Sequence, residues 1–372
     1  MWDRVARRLS AVRAAAARSA RDRRLRRLLS GDWGRALDSC VLPQRKRPRY
    51  LLLRYRWCHG EPRFGPSNED VFVSMPLRSA GVAEVAELFY EEGAGDPDRC
   101  LLDAVVAKPP SLVVLSSYDC FDINHPSFEL LAAMRARGIP LVVLWHDSTG
   151  DIARRQYLHM REHVDLHVLF DSSVLARQFP EDPRLMQLWA PLDTSVFKPG
   201  DTRDLPVVFL GSTGGYRGVR GEYLRYLDEH GIAVHHAGGQ AEQLLDLAEY
   251  AALTRRAKIA LNFSQSLPGT HQLKARAIEV LFSGTLLLES ENEEIKRWLK
   301  PMVHYVPFLS ASDLAEKIRY YLAHDEERRL IAQAGHDHAI HELNHDAFWR
   351  RLHEALARVR SAGAAGGPVV AA

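Results

Sequence analysis

Short apolar runs bounded by turn residues alternate along the chain with stretches whose apolar positions recur every three or four residues. Continuous apolar runs of this length are typical of strands buried on both faces, and the longer period is typical of crossover helices. The pattern therefore predicts an α/β fold with parallel sheets. The strand candidates lie at 50–56, 112–117, 141–147, 165–171, 205–212, 232–238, 258–264, 285–290 and 304–308.

A segment rich in Pro, Asp and Thr, PLDTSVFKPGDTRDLP, interrupts this alternation near residue 200. Such composition is typical of a connection between domains, and a chain of 372 residues is long enough for two cores. We therefore predict two doubly wound, Rossmann-like domains, at 46–200 and 201–344, facing each other across a cleft. The low-complexity tail at 361–372 is expected to be disordered.

The first 30 residues contain ten arginines and only two aspartates, although the net charge of the whole chain is +2. We predict a basic helical extension over residues 1–45, attached to a mildly acidic body. Trp2, Val5 and Leu9 recur at helical spacing among these arginines, which suits an anionic membrane surface. An arm docked on its own acidic domain, or on a second subunit of a homodimer, is the alternative.

The composition argues against membrane-spanning, secreted and nucleic-acid-binding proteins. No apolar run reaches the length of a membrane span, and the Arg-rich start lacks the apolar core of a secretory signal. The four cysteines form no C-x-x-C pair, which favours a reducing compartment. The basic segment lacks a nucleic-acid-binding motif, so no nucleic-acid partner is expected. We predict a cytoplasmic protein, with peripheral attachment to the inner membrane if the extension binds lipid.

Ligands of open α/β sheets bind beyond the carboxyl ends of the strands. The run at 205–212 ends at Gly211 and Ser212 and is followed by a glycine-rich turn that contains Arg217 and Arg220. Backbone N–H groups at a helix start and arginine side chains suit a phosphate. The spacing is not G-x-G-x-x-G, and the next strand ends in histidines without the acidic residue that holds an NAD ribose, which argues against NAD.

Residues 271–283 predict a helix that feeds the buried strand at 285–290. His271 and Glu279 fall on the face opposite its apolar flank, and a continuous helix would separate them by about 12 Å. Thr270 is expected to cap this helix towards the bound phosphates. Further contacts with the phosphate-bearing ligand are expected at Asn262, Ser264, Lys274 and Arg276. For Asn262 and Ser264, a strand-capping role is the alternative.

The segment HQLKARAIEVLFSGTLLLES resembles the second-domain signature of GT-B glycosyltransferases of the group 1-like type, in particular a spore-maturation-protein-like branch. The residues that carry the resemblance are Lys274, Arg276, Glu279, Ser283, Gly284 and Thr285. It extends from about residue 140 to 355. It implies that Glu279 holds the donor ribose and that a last helix, at 345–360, returns to the first domain. His271 stands where the family has its first glutamate, so the stereochemical outcome is open.

With a fold of this kind, the first domain is expected to supply the acceptor pocket and a general base. Asp147, our first choice, and His146, our second, end the strand candidate at 141–147. A helix-capping role for Asp147 is the alternative. Acceptor contacts are predicted at Arg54, His59, Asp122 and His125.

The resemblance and the charges together predict an enzyme that moves a sugar from a nucleoside-diphosphate donor to a glycan, lipid-linked or other acceptor. We expect no metal and no cofactor, because the cationic side chains would stabilise the leaving diphosphate. A catalytic contact is expected at His271. A nucleotide-sugar isomerase or epimerase, and a non-catalytic nucleotide-sugar-binding module, are the alternatives. The sequence does not determine the nucleotide base and the sugar of the donor, the identity of the acceptor or the oligomeric state.

Overall fold

Six parallel strands form the first sheet, in the spatial order β2-β1-β3-β4-β5-β6. The computed structural model describes residues 19–40, 47–92, 96–116, 124–214, 217–238, 245–266 and 269–365. The strands of this sheet are β1 Arg49–Arg54, β2 Glu84–Phe89, β3 Leu112–Ser116, β4 Leu141–Trp145, β5 Leu166–Leu169 and β6 Leu185–Gln187.

Five parallel strands form the second sheet, in the order β11-β10-β9-β7-β8. Each sheet thus has its first strand beside its second and third, the arrangement of a flavodoxin-like doubly wound domain. The topological switch point of the second sheet therefore lies between β7 and β9. The strands are β7 Leu205–Leu210, β8 His235–Ala237, β9 Ala257–Asn262, β10 Leu286–Ser290 and β11 Val306–Phe308.

Helices cover both sheets. Those of the first domain are α1 at 19–29, α2 Asp32–Asp38, α3 Met75–Ala80, α4 Pro97–Ala107, α5 Phe128–Ala136, α6 Gly150–Met160 and α7 Val174–Gln178. Those that follow are α8 Gly218–Glu229, α9 Leu247–Arg256, α10 Ala275–Phe282, α11 Glu293–Lys296, α12 Ala311–Ala323, α13 Asp325–Glu342 and α14 His345–Ala365. Among the described residues, no helix has the length and apolar composition needed to cross a membrane.

The central strands are buried on both faces, which explains why they read as continuous apolar runs. Every residue of β1, β3, β4 and β5 is buried. One apolar cluster continues from the first domain through Trp189 and Phe197 of the connection into the second domain, and also includes Phe348 of α14. Because this core is shared, the connection near residue 200 is packed and not an open linker.

The last helix lies against the first domain. Tyr50 Oη and His353 Nε2 are 2.5 Å apart, and Arg360 donates to the carbonyl of Gly138 at 2.8 Å. Arg360 also lies 3.3 Å from Asp165. The chain thus crosses back to the first domain after completing the second sheet.

The described part of the basic extension also contacts the first domain. Arg21 Nε donates to Asp98 at 2.8 Å, Arg26 donates to Glu129 at 2.7 Å, and Leu25 is buried beneath them. These contacts match the alternative of an arm docked on its own domain for residues 19–29. Residues 1–18 lie outside the described residues, so the prediction of a membrane-binding segment remains a prediction.

Candidate functional site

The carboxyl ends of the two sheets face each other across an interdomain cleft of about 560 Å³. Gly211 and Ser212 reach this cleft at the switch point of the second sheet, directly after β7. His146 and Asp147 reach it from the first sheet, directly after β4. The strand-end positions of the two domains therefore meet, which is where a ligand of this architecture binds.

Glu279 of α10 lines the cleft beside the end of β8 and is almost completely buried. Tyr250 Oη of α9 donates a hydrogen bond of 2.6 Å to Glu279 Oε2. Burial raises the pKa of Glu279, although the Tyr250 hydrogen bond and the charge of Arg276 act in the opposite direction. The free acceptor positions of such a carboxylate suit a pair of vicinal hydroxyl groups.

Arg276 lies at the cleft wall directly beside Gly211. A Cβ atom at Gly211 would lie 2.5 Å from Arg276 Nη2, so only glycine lets the guanidinium approach the end of β7 this closely. Arg276 Nη1 donates to Asn262 Oδ1 at 3.0 Å, while its buried Nε has no partner among the described residues. The contact with Asn262 and the space at Gly211 thus place the Arg276 guanidinium at the cleft wall.

Asn262 does not line the cleft. It is fully buried, and its Nδ2 donates to Glu289 Oε2 at 2.5 Å. Burial raises the pKa of Glu289 to about 7. The predicted donor contact by Asn262 is therefore corrected: this side chain holds Arg276 in place from behind.

Arg220 joins the ends of two strands at the switch point. Its guanidinium donates to the carbonyls of Ser212, at 3.2 Å, and of Phe263 and Gln265, at 3.3 and 3.2 Å. Arg217 precedes α8 as its N-cap residue, and both arginines line the cleft. The first turn of α8 and two guanidinium groups therefore supply positive potential at one place.

A polar network links the two domains at the centre of the cleft. Gln272 Nε2 donates to Asp147 Oδ1 at 3.1 Å and to Asp171 Oδ2 at 2.6 Å, and Lys274 donates to Gln272 Oε1. Burial raises the pKa of Asp171 to about 6, against the effect of hydrogen bonds from Ser148. Burial lowers the pKa of Lys274 to about 8, although the two aspartates act against it.

His146 lies behind Asp147, between the rings of Phe72 and Phe170. Its Nε2 lies 3.8 Å from Glu69 Oε1, and Ser116 Oγ donates to the same oxygen at 2.5 Å. Burial raises the pKa of Glu69, but His146 and the Ser116 hydrogen bond outweigh it, so the pKa of Glu69 is lowered. An ionised carboxylate thus supports the imidazole.

The helix predicted from residue 271 begins at Ala275. The backbone N–H groups of Gln272 and Leu273 donate to the carbonyls of Ser264, at 3.0 Å, and of Asp171, at 2.5 Å. These pairings hold the segment extended, so His271 and Glu279 do not share one helix.

Thr270 consequently caps no helix, because the N-cap residue of α10 is Lys274. His271 Nδ1 lies 2.9 Å from Ser264 Oγ, which also lies 2.9 Å from Ser290 Oγ. Ser264 is buried and does not line the cleft. His271 lines an adjoining pocket on the second domain, and Ser264 orients its ring.

The predicted acceptor contacts are not gathered at the cleft. Arg54 is buried and donates to Glu87 and to Asp70, each at 2.7 Å, so its guanidinium is occupied within the first domain. His125 is buried and stacks on Tyr90 with ring centroids 4.5 Å apart. The positions of Arg54 and His125 therefore give no support to an acceptor role.

Asp122 and the side chain of His59 lie outside the described residues. Tyr250, Asp171, Gln272 and Glu69 are cleft or supporting residues that the sequence reasoning gave no role. Asp171 is the last residue of the strand candidate at 165–171, so the strand-end argument applies to it as well. Among the described residues, no group of three or more His, Cys, Asp or Glu side chains is arranged to hold a metal ion.

Comparison with known proteins agrees with this architecture. Residues 204–354 match a family model described as glycosyl transferase-like. HepE from Anabaena, solved in complex with UDP-glucose, is 12% identical, with a TM-score of 0.56, over 84% of this chain and 100% of that chain. Sucrose-phosphate synthase from Thermosynechococcus elongatus is 12% identical, with the same TM-score of 0.56 and the same coverage of 84% and 100%.

Protein O-glucosyltransferase 2 from Danio rerio is 46% identical over 57 residues, which is 15% of this chain and 11% of that relative. The chain thus spans about a tenth of the length of this curated relative. None of these matches singles out the spore-maturation-protein-like branch, which stays a prediction. The chain shares the two-domain GT-B fold with these structures, and its residues 204–354 are similar to the glycosyl transferase-like family.

Proposed function

We propose that this protein is a glycosyltransferase that moves a sugar from a nucleoside-diphosphate donor to an acceptor hydroxyl. The observation that carries the proposal is the meeting, in one interdomain cleft, of a buried carboxylate, a set of cations and two candidate bases. Glu279 would accept hydrogen bonds from the donor ribose. Arg276, Lys274 and Arg217 would stabilise the charge that develops on the departing diphosphate, without a metal ion.

The general base would come from the first domain. Asp147 is exposed in the cleft and held by Gln272, whereas His146 has Glu69 behind it. Either side chain would take the proton of the acceptor hydroxyl as its oxygen attacks the anomeric carbon. We keep Asp147 as the first assignment, and the contact with Glu69 makes His146 a serious second.

A UDP-sugar is the proposed donor, because HepE, which shares the fold, was solved with UDP and with UDP-glucose. A thermal-shift panel of UDP, GDP, dTDP, CDP and NAD tests this on the native protein and on Glu279→Ala. A ligand at a hundred times its dissociation constant stabilises a fold by about 2.7 kcal/mol. UDP should shift the native protein and lose its effect in Glu279→Ala but not in the exposed control Glu326→Ala. A shift by NAD alone would refute the donor assignment.

Turnover of UDP-glucose then separates the reaction classes. Release of UDP that requires an acceptor supports transfer, whereas conversion of the donor sugar without UDP release supports an isomerase or epimerase. Binding without any turnover supports a non-catalytic module. Asp147→Asn and His146→Ala identify the base, because the variant that loses turnover while keeping UDP binding has lost proton transfer. If both variants retain turnover, the base assignment is wrong.

A further inference from the structure

A network of hydrogen bonds inside the second domain joins two side chains that reach its ligand pockets. This network, here called the Glu289 network, consists of Arg276, Asn262, Glu289, Ser290, Ser264 and His271. Glu289 follows three leucines in β10 and is only 1% exposed. Burial of a carboxylate destabilises a fold unless polar partners satisfy it, and the function proposed above gives Glu289 no role.

One half of the network runs from Glu289 to Arg276. Asn262 is the register partner of Glu289 on β9, so the two side chains leave the same face of the sheet. Asn262 Nδ2 donates to Glu289 Oε2 at 2.5 Å, and Asn262 Oδ1 accepts from Arg276 Nη1 at 3.0 Å. Because a guanidinium only donates, the amide of Asn262 has one possible orientation. Oε2 of Glu289 is therefore fixed as an acceptor.

The other half of the network runs from Glu289 to His271. Ser290 Oγ lies 3.4 Å from Glu289 Oε1 and 2.9 Å from Ser264 Oγ. The backbone N–H of Ser264 also donates to Ser290 Oγ, at 2.9 Å. His271 Nδ1 lies 2.9 Å from Ser264 Oγ. A buried carboxylate is thus connected to an imidazole through two hydroxyl groups.

The carboxylate determines the direction of the hydrogen bonds in this half. An ionised carboxylate only accepts, so the Ser290 hydroxyl donates to Glu289 Oε1. Ser290 Oγ then accepts from the Ser264 hydroxyl, which leaves Ser264 Oγ as the acceptor for a proton on His271 Nδ1. A neutral imidazole with a proton on Nδ1 has an unprotonated Nε2 on the other side of the ring.

The surroundings of Glu289 permit this ionised form. Burial raises the pKa of Glu289 to about 7, against the Asn262 hydrogen bond and the positive charges of Arg276 and Lys274. The carboxylate is therefore ionised at pH 8.5, where the direction of the network can be measured.

We propose that Glu289 is a positioning residue that holds His271 with its proton on Nδ1, so that Nε2 accepts a hydrogen bond from a hydroxyl of the donor sugar. His271 and Ser290 line a pocket of about 340 Å³ on the second domain. Arg217 and Arg220 line both this pocket and the cleft, so a sugar attached to the proposed diphosphate would lie in it. The tautomer rests on the hydrogen bonds alone, whereas the contact with the sugar rests on the proposed function.

Glu289→Gln tests the direction of the network with little change in shape. Asn262 Nδ2 still requires an acceptor, so the new amide oxygen faces Asn262 and the new NH2 group donates to Ser290. Each hydrogen bond towards His271 then reverses, and the proton moves from Nδ1 to Nε2. Nitrogen-15 NMR at pH 8.5 distinguishes the two imidazole nitrogens, and His271→Gln identifies the signals by their loss. The unprotonated nitrogen should be Nε2 in the native protein and Nδ1 in Glu289→Gln.

Two more variants separate this effect from the mere loss of a buried charge. Glu294→Gln neutralises another buried carboxylate of the second domain, whose hydrogen bonds go to the first domain, and should leave the native tautomer unchanged. Ser290→Ala interrupts the network without changing Glu289 and should let both tautomers of His271 occur, which keeps the test valid if Glu289→Gln does not fold. One and the same tautomer in the native protein and in every folded variant would overturn the proposal.

Calorimetric titration with UDP and with UDP-glucose tests the contact with the sugar on the same proteins. One additional hydrogen bond should make UDP-glucose bind to the native protein about three- to tenfold more tightly than UDP. Glu289→Gln should lose this difference but keep its affinity for UDP, because the contact between Asn262 and Arg276 is retained. Equal affinities of the native protein for both ligands would refute the sugar contact and leave the donor proposal standing. If neither ligand binds, the donor proposal has failed, while a reversed tautomer in Glu289→Gln still supports the positioning role.

Discussion

The hydrogen bond between Tyr250 and Glu279 yields a sharp prediction, because both groups are buried and the contact is short. Tyr250→Phe removes only the hydroxyl that donates to Glu279 Oε2 at 2.6 Å and leaves the aromatic ring in place. A hydrogen bond to a charged group contributes about 1.5–3 kcal/mol. We therefore expect the free energy of unfolding at pH 8 to fall by about 2 kcal/mol, a decrease in Tm of about 4 °C.

The effect should depend on pH in a defined direction. Burial raises the pKa of Glu279 above its ordinary value of 4.5, so its contribution to stability is present below that value and is lost as the pH rises through the folded-state pKa. The Tyr250 hydrogen bond lowers the pKa of Glu279. Tyr250→Phe therefore raises this pKa further and increases the stability that is lost at high pH. The difference between native protein and variant should therefore be larger at pH 8 than at pH 4.5.

Urea unfolding at these two pH values measures the effect, and the chain offers a matched control. Tyr320 Oη donates to Glu327 Oε2 at 2.7 Å on the exposed surface of α12 and α13. Tyr320→Phe should leave the unfolding midpoint unchanged, because water replaces an exposed donor. Equal effects of the two substitutions, or an effect of Tyr250→Phe that is the same at both pH values, would refute this account of Glu279.

Three further substitutions test the cleft and the domain contact. Gly211→Ala should weaken UDP binding by about tenfold by displacing Arg276, as calorimetry would show. Gly214→Ala should not, because its Cβ would meet only Ser212 Oγ, at an ordinary contact distance of 4.0 Å. UDP affinity should fall as the pH rises through about 8, where the Lys274 ammonium loses its proton, and Lys274→Arg should abolish this dependence. Glu294→Ala should lower the free energy of unfolding by about 3 kcal/mol in urea titrations, because this buried carboxylate of α11 accepts three hydrogen bonds and forms one ion pair with the first domain.

The fold was largely predictable because buried parallel strands leave a strong signal. All nine strand candidates correspond to observed strands. The two missed strands, β2 and β6, lie at the edges of the first sheet. Every residue of β2 is only half-buried and β6 has three residues, so neither carries a continuous apolar run. Edge strands of this kind are recognisable only from their partners.

The site was predictable in part, for a related reason. The strand-end argument selects Asp147 and Gly211, which both line the cleft, because it depends only on local pattern and sheet direction. It does not separate a side chain that faces the cleft from one that supports a neighbour. Asn262 and Arg54 end strands as well, yet each is buried against partners that lie between 13 and 33 residues away in sequence.

The late start of α10 shows how the domain contact and the site depend on each other. The sequence favours a helix from residue 271, but Leu273 N–H donates to the Asp171 carbonyl of the other domain, and the Gln272 side chain reaches both Asp147 and Asp171. A helix beginning at residue 271 would change the direction of the Leu273 N–H group and of the Gln272 side chain, and these contacts with the first domain would be lost. The segment loses the first turn of the predicted helix. In its extended form it holds Asp147, the candidate base, against the second domain. Such a conflict between local propensity and tertiary contacts is expected where a site is assembled from two domains.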